Sequence, residues 1–139
     1  MGIIKRIGQV LLAVVIILVM MMVGMYSNFR NKDYVDLETK EPEIAVFYRS
    51  DCPTCKKIYP KITIKAAQDF KNPRFVNLVN KQNRKYIKKY HLKSVPTTIN
   101  LKTKKQYAGA DLKKIDRVMN PEQIGFFERI KSFWNSVKD

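Results

Sequence analysis

The chain has 139 residues, of which 45% are hydrophobic, and its 27 Lys and Arg against 12 Asp and Glu give a net charge of +15. This length accommodates one small domain with an appendage and excludes a second domain. Two cysteines and one histidine are too few for a four-ligand structural zinc site, so we expect neither a metal nor a cofactor.

An uncharged, mostly apolar segment runs from Ile7 to Phe29. Because it is long enough to cross a bilayer as a helix, we expect residues 7–26 to lie in the membrane and residues 1–27 to form an N-terminal anchor. A cleaved signal peptide is the alternative, since Lys5 and Arg6 form a basic start. No small-residue cleavage site follows the segment, which favours an uncleaved anchor.

Positive charges on the two sides of this segment nearly balance, with Lys5 and Arg6 before it and Arg30, Lys32 and Lys40 after it. Long domains cross membranes largely regardless of such charges. The basic start, together with cysteine chemistry suited to oxidising compartments, predicts a single-pass protein of the cell membrane whose domain is extracytoplasmic.

Residues 28–41 change composition abruptly, with acidic and polar side chains ahead of Pro42. We interpret this stretch as a linker that can hold one short strand near residues 34–37. The folded domain is then expected to cover residues 42–139.

A strand, a cysteine pair and a helix follow in that order. The β-branched and aromatic residues from Ile44 to Tyr48 predict a central strand that is covered on both faces. The sequence Cys52-Pro53-Thr54-Cys55 comes next, and its proline suits the first turn of a helix. Pro60 inside that helix predicts a kink. An apolar stripe at four-residue spacing comprises Ile58, Ile62, Ala66 and Phe70.

The two cysteines have a spacing with a specific chemical use. Where a strand leads into a helix, a C-x-x-C pair can switch between dithiol and disulfide. The helix N-terminus stabilises a thiolate on Cys52, and Cys55 lies one turn further on. Asp51 opposes that thiolate whereas Lys56 and Lys57 favour it, and we expect the helix and the lysines to prevail. A static disulfide is the alternative, although a bridge across so short a loop adds little stability.

The second half of the sequence predicts more sheet. A strand is expected over residues 74–80 and a short helix over residues 86–90. After the segment 94–97, two strands over residues 98–101 and 106–108 form a hairpin with a basic turn.

The clearest helix signal lies near the end of the sequence. Asn120 as N-cap, Pro121 in the first position and Gln123 three residues after the cap predict where this helix begins. Its apolar stripe is expected to pack against the sheet, with a partner-binding or membrane-surface helix as the alternative. The stripe comprises Phe126, Phe127, Ile130, Phe133, Trp134 and Val137.

This order of elements resembles the thioredoxin fold, an α/β fold with a mixed central sheet flanked by helices. The residues that carry the resemblance are the cysteine pair directly after the strand, Lys56, Pro60, the segment Val95-Pro96-Thr97, and Gly109 after the last strand. The resemblance covers about residues 42–139. It implies that the proline of the segment is preceded by a cis peptide bond.

The activity implied by the resemblance is thiol–disulfide exchange, with protein thiols or disulfides as substrates. Cys52 is then the nucleophile, Cys55 resolves the mixed disulfide, and Pro96 is the third catalytic position. The substrate-binding residues implied are Pro53, Thr54, Val95 and Thr97. Oxidase, reductase and isomerase all remain open, although the two residues Pro53 and Val95 resemble the oxidising, extracytoplasmic members of the superfamily.

Two residues depart from the family pattern. Asp51 replaces the tryptophan that usually precedes the first cysteine, and Val46 stands where thioredoxins commonly bury an aspartate. Without that carboxylate the resolving cysteine lacks an internal proton acceptor, so reductive turnover is expected to be slower or to depend on water or another base.

Eleven bases and no acid lie between Asp69 and Asp111. Six of them surround the predicted short helix and predict a basic face, namely Lys81, Arg84, Lys85, Lys88, Lys89 and Lys93. A merely soluble surface and an attraction to anionic lipid or cell-wall polymer are both compatible with it. Nucleic acid is not expected, because Tyr86 and Tyr90 are spaced for burial. His91 is interpreted as a surface residue.

Two functions follow from these patterns. The first is a membrane-tethered thiol-disulfide oxidoreductase that acts on secreted or surface proteins and exchanges electrons with a membrane redox partner. The alternative is a non-catalytic thioredoxin-like accessory module of a secretion, bacteriocin or conjugation system.

Overall fold

A long apolar helix, α1 (Gly2–Arg30), lies in the first of two compact units, which divide the chain into residues 1–31 and 32–139. The computed structural model describes residues 2–39, 41–122, 130, 133 and 134. The apolar side chains of α1 from Ile3 to Val23 are exposed, and the helix is long and apolar enough to cross a membrane. α1 is therefore a candidate membrane span, as the sequence predicted.

A mixed four-stranded sheet forms the centre of the second unit. Its strands are β1 (Ile44–Tyr48), β2 (Arg74–Asn77), β3 (Thr97–Asn100) and β4 (Gln106–Ala108). They lie in the order β2-β1-β3-β4, with β1 parallel to β2 and the other neighbouring pairs antiparallel. The α-helices of this unit whose bounds the structure describes are α2 (Pro53–Gln68), α3 (Lys85–Lys89) and α4 (Leu112–Met119). The α/β architecture with a mixed sheet is confirmed.

β1 is buried along its whole length and separates two apolar clusters. Neighbours along a strand face opposite sides, so Ala45 and Phe47 join one cluster while Ile44 and Val46 join the other. α2 and α4 supply the remaining buried members of the second cluster. The prediction of a central strand covered on both faces is confirmed, with the expected bounds.

The other strands differ from the prediction only at their ends. β2 stops at residue 77 rather than 80, and β3 begins one residue earlier than expected. A 3-10 turn, Gln82–Arg84, precedes α3. The hairpin of β3 and β4 is present.

α2 ends earlier than its predicted apolar stripe. Ile58 and Ile62 are buried as expected, but Phe70 is 97% exposed and has a left-handed backbone with φ of 53°. The N–H of Phe70 donates to the Ala67 carbonyl (3.2 Å), and the N–H of Lys71 donates to Ala66 (2.8 Å). This pair of bonds is a Schellman motif, which ends a helix. The assignment of Phe70 to the buried apolar stripe is therefore wrong.

The sequence analysis missed α4. Asp111 caps this helix by accepting hydrogen bonds from the N–H groups of Lys113 (2.9 Å) and Lys114 (3.3 Å). The side chains of Ile115 and Met119, which lie one helical turn apart on α4, are fully buried. A capping residue followed by apolar residues at helical spacing was visible in the sequence.

Asn120, the predicted N-cap, is also the residue at which α4 ends. Its side-chain amide donates to carboxylate oxygens of Asp69 (2.6 Å) and Asp116 (2.8 Å). Pro121 and Glu122 are helical, so a helix begins at Pro121 as predicted. Three residues of the predicted stripe are described, namely Ile130, Phe133 and Trp134, and all three are exposed. The prediction that these three pack against the sheet is therefore wrong. Gln123, Phe126, Phe127 and Val137 lie outside the described residues.

Residues 33–37, named the strap, are held on the domain by two buried side chains rather than by strand pairing. Asn83 accepts a hydrogen bond from the N–H of Val35 (3.0 Å) and donates to the carbonyl of Asp33 (3.0 Å). The Tyr86 hydroxyl accepts from the N–H of Leu37 (3.0 Å) and donates to the Val35 carbonyl (2.9 Å). The short strand expected here is absent from this described segment. The linker and domain bounds stay predictions.

Removing the Tyr86 hydroxyl tests how much the strap depends on it. Tyr86→Phe leaves a buried N–H and a partly buried carbonyl without their partner, so we expect the free energy of unfolding to fall by about 2 kcal/mol. Urea unfolding of the full chain in detergent, followed by circular dichroism, measures this change. Tyr90→Phe is the matched control, because no hydrogen bond of the Tyr90 hydroxyl is found among the described residues, and we expect a change within about 0.5 kcal/mol. Equal effects would contradict this account of the strap.

Candidate active site

Two loops meet at one edge of the sheet. β1 and β3 run antiparallel with Phe47 opposite Thr97. The redox loop (residues 49–52) follows β1, and the proline loop (residues 94–96) directly precedes β3. Because these strand ends are paired, the two loops lie side by side.

The two cysteines occupy unequal positions at the start of α2. Cys52 is the N-cap residue, and its sulfur accepts a hydrogen bond from the N–H of Cys55 (3.3 Å). Cys52 is half-buried, whereas Cys55 is 0% exposed, and both are free thiols. An accessible sulfur at a helix N-terminus with a buried partner one turn on is the arrangement expected of an attacking and a resolving thiol.

Burial raises the pKa of the Cys55 thiol from its ordinary 9.0 to about 12, and the hydrogen bond with Cys52 adds to this rise. A thiol with such a pKa is protonated at neutral pH. Since only the thiolate attacks a disulfide, Cys55 must lose a proton before it can react.

Asp51, expected to oppose a thiolate on Cys52, is paired with an arginine that the sequence analysis did not single out. Arg49 donates from Nε to Oδ1 (2.8 Å) and from Nη2 to Oδ2 (2.6 Å) of Asp51. This two-pronged hydrogen bond lowers the pKa of the Asp51 carboxyl. The guanidinium offsets much of the negative charge beside Cys52.

A buried asparagine holds the redox loop. Asn77, at the end of β2, accepts hydrogen bonds from the N–H of Ser50 (3.3 Å) and of Val79 (3.1 Å). Its own carbonyl accepts from the Asn83 side chain (3.0 Å). A further bond joins the N–H of Cys52 to the Arg49 carbonyl (3.2 Å). The sequence gave no signal for Asn77, because a strand-end asparagine has many uses.

The proline loop has a cis peptide bond between Val95 and Pro96. The Thr97 hydroxyl donates to the Ser94 carbonyl (2.6 Å), and the Gly109 N–H donates to the Pro96 carbonyl (2.8 Å). Thr97 is buried, so its side chain supports the loop, while Val95 is half-buried.

Gly109 packs against a tyrosine so closely that no side chain fits there. Its φ is 145°, and a Cβ at this position would lie 2.6 Å from the Tyr107 hydroxyl oxygen. Glycine is therefore required where the last strand passes the proline loop.

The remaining predicted site residues lie around the cysteines. Pro53 and Thr54 are exposed in the first turn of α2. Val46 packs with Ile58 and Ile62 in the second apolar cluster, so its position supplies no proton acceptor. His91 is exposed, as expected. Within the described part of the chain, no three His, Cys, Asp or Glu residues are grouped so that they could hold a metal ion. The catalytic and substrate-binding roles of these residues stay predictions.

Comparisons with known proteins agree with this geometry. The family model for thioredoxin matches residues 25–120. Thioredoxin f2 from Chlamydomonas reinhardtii is 28% identical, with a TM-score of 0.52 over 63% of this chain and 85% of that chain. Oxidised thioredoxin O1 from Arabidopsis thaliana is 20% identical, with a TM-score of 0.50 over 72% of this chain and 87% of that chain, and shows a likeness of fold. No curated protein sequence matches this chain.

The unequal burial of the two thiols predicts their alkylation rates. In Cys52→Ser, iodoacetamide should modify Cys55 at least about a hundredfold more slowly in the folded chain than in guanidinium. Burial, the main cause of the raised Cys55 pKa, remains in this variant, so it still lowers the thiolate fraction and blocks access of the reagent. Mass spectrometry of timed samples at pH 8 gives both rates. In the control Cys55→Ser, Cys52 should react readily without denaturant. Equal rates for Cys55 in the folded and unfolded chains would contradict its burial.

Proposed function

Because the chain belongs to the thioredoxin family, we propose that it is a membrane-tethered thiol-disulfide oxidoreductase that acts through Cys52 and Cys55 on secreted or surface proteins. The observation that carries this proposal is the pairing of a half-exposed thiol at a helix N-terminus with a buried thiol one turn away. The N–H that Cys55 donates to the Cys52 sulfur helps to hold negative charge there, which suits an attacking thiolate.

The exchange proceeds in two steps. The Cys52 thiolate attacks one sulfur of a substrate disulfide, forms a mixed disulfide, and releases the other substrate sulfur as a thiolate that takes up a proton. Cys55 then loses its proton and attacks the Cys52 sulfur, which forms the Cys52–Cys55 disulfide and releases the second substrate thiol. The substrate gains two electrons and the protein loses two. The reverse sequence oxidises a substrate dithiol.

The second step is the slow one in this proposal. Cys55 is buried and protonated, and Val46 places an apolar side chain where an internal base would be useful. The proton must therefore leave through water or through a group on the substrate. A long-lived mixed disulfide follows, which suits a protein that holds its substrate while the substrate rearranges.

Substrate binding is assigned to both loops. An extended peptide would pair with backbone groups of Val95 in the proline loop. Pro96 has no N–H, so this position presents no donor to the sulfurs. Pro53 and Thr54 are exposed beside Cys52 and would contact the chain that follows the reacting cysteine.

The tether and the compartment complete the proposal. α1 supports a single span because its most apolar stretch is exposed in the described helix and is long enough to cross a bilayer. An extracytoplasmic domain suits the disulfide chemistry, and it would exchange electrons with a membrane redox partner. An accessory module that needs no redox chemistry is the competing function.

Trapping separates these two functions. With Cys55→Ser expressed as the full chain in cells, we expect covalent complexes with substrate proteins, because Cys52 attacks but no thiol resolves the product. Non-reducing gels followed by mass spectrometry identify the trapped proteins. Cys52→Ser is the matched control and should trap few or none. If neither variant forms complexes while both support the cellular role, the oxidoreductase assignment fails and the accessory module stands.

The pH dependence of resolution tests the second step. Because Cys55 is protonated far above neutral pH, its thiolate fraction rises with pH, and we expect decay of a Cys52–peptide mixed disulfide to accelerate about tenfold per pH unit between pH 7 and 9. Stopped-flow release of a fluorescent peptide measures the decay. Cys55→Ser should show no such release. A flat profile would reveal an internal base and contradict the role given to Val46.

A further inference from the structure

A groove of about 310 Å³ lies beside the candidate active site. The redox loop, α3 and the proline loop all contribute to its walls, through Arg49, Ile87 and Val95 respectively. The carbonyl of Arg49, which lines the groove, accepts a hydrogen bond from the N–H of Cys52, so the groove lies beside the redox loop that carries the attacking sulfur.

Four aliphatic side chains give the groove an apolar lining, namely Leu78, Ile87, Leu92 and Val95. Leu78 is buried, Leu92 and Val95 are half-buried, and Ile87 is 39% exposed. Such a lining accommodates an apolar side chain of a bound peptide.

Three cations surround this apolar lining, and no carboxylate lines the groove among the described residues. Arg84 is held in place by a hydrogen bond from its Nε to the Leu78 carbonyl (3.2 Å). Lys93 is exposed directly before the proline loop. Arg49 shares its charge with Asp51, so Arg84 and Lys93 carry most of the positive charge available to a ligand.

The other bases of the predicted basic face do not all contribute to this charge. Lys85 and Lys89 pair with Glu38 at 3.6 and 3.1 Å. Among the described residues, no ion pair of Arg84 or Lys93 is found. Within the part of the chain that the structure describes, positive charge without a carboxylate partner is therefore present at the groove.

From this combination we infer that the groove selects substrate peptides that carry an apolar and an acidic residue next to the reacting cysteine. The inference rests on the proposed oxidoreductase function and adds a substrate class to it. The apolar residue fills the aliphatic lining, and the carboxylate lies between Arg84 and Lys93. An anionic lipid surface would use the charge but not the aliphatic lining, so a peptide is the better occupant.

Single-turnover kinetics test the inference. The reduced full chain in detergent is mixed with two matched peptide disulfides that have Leu-Glu or Leu-Lys after the cysteine, and with neutral bis(2-hydroxyethyl) disulfide as reference. We expect the Glu peptide to react about five- to tenfold faster than the Lys peptide at low salt, with the ratio falling towards one at high salt. Each exposed charge pair supplies about two- to fivefold of this ratio.

Charge reversal locates the effect. Lys93→Glu should reduce the Glu-to-Lys peptide ratio to one or below, because it places a carboxylate where the substrate acid would lie. Lys113→Glu, at an exposed position on α4, makes the same change in net charge and should leave the ratio unaltered. Equal changes in both variants would indicate that only the overall positive charge of the protein matters, and would overturn the inference that the groove selects the substrate.

Failure of the inference is distinguishable from failure of the proposed function. If the wild-type chain reacts with the neutral disulfide but shows a peptide ratio near one, the exchange activity stands and the groove selectivity is wrong. If the chain reacts with none of the three disulfides, the exchange activity fails, and the substrate class fails with it.

Discussion

Burial of β1 on both faces is the constraint on which the rest of the structure depends. A strand covered on both sides cannot slide or rotate without exposing Phe47 or Val46, so the position where it ends is fixed. The redox loop follows within one residue, and its backbone leads straight into α2 with Cys52 as the cap. The sulfur is thus positioned by the core, although it lies at the surface.

The same junction makes the two thiols unlike each other. Cys52 faces outward at the end of the helix, whereas Cys55 is turned inward and kept protonated by burial. Local charges matter less than the sequence suggested, because Arg49 engages the carboxylate of Asp51. The difference in reactivity between the two thiols therefore follows from how deeply each is buried more than from neighbouring charges. Burial depends on the whole fold and cannot be deduced from a four-residue motif.

The sequence predicted the elements whose signals are local. β1, the start of α2 and the hairpin were readable from apolar patterns and from proline, since these depend on neighbours a few residues away. The contributions of Asn77 and Asn83 were not readable, because they depend on backbone groups up to 50 residues distant. Phe70 was misassigned because apolar spacing does not reveal where a Schellman motif ends a helix. Similarly, the pairing of Arg49 with Asp51 was not predicted, because it depends on how the chain turns between these two residues.

The two buried asparagines have a practical meaning for anyone who trims the chain. The NH2 group of Asn83 donates to the carbonyl of Asn77, whose side chain in turn accepts from the N–H of Ser50. The same Asn83 side chain also binds the strap, because its oxygen accepts from Val35 and its NH2 group donates to Asp33. Cutting immediately ahead of β1 would remove residues 33–37 and leave Asn83 buried without those partners. A soluble version intended for crystallography or enzymology should start at residue 32, where the second compact unit begins.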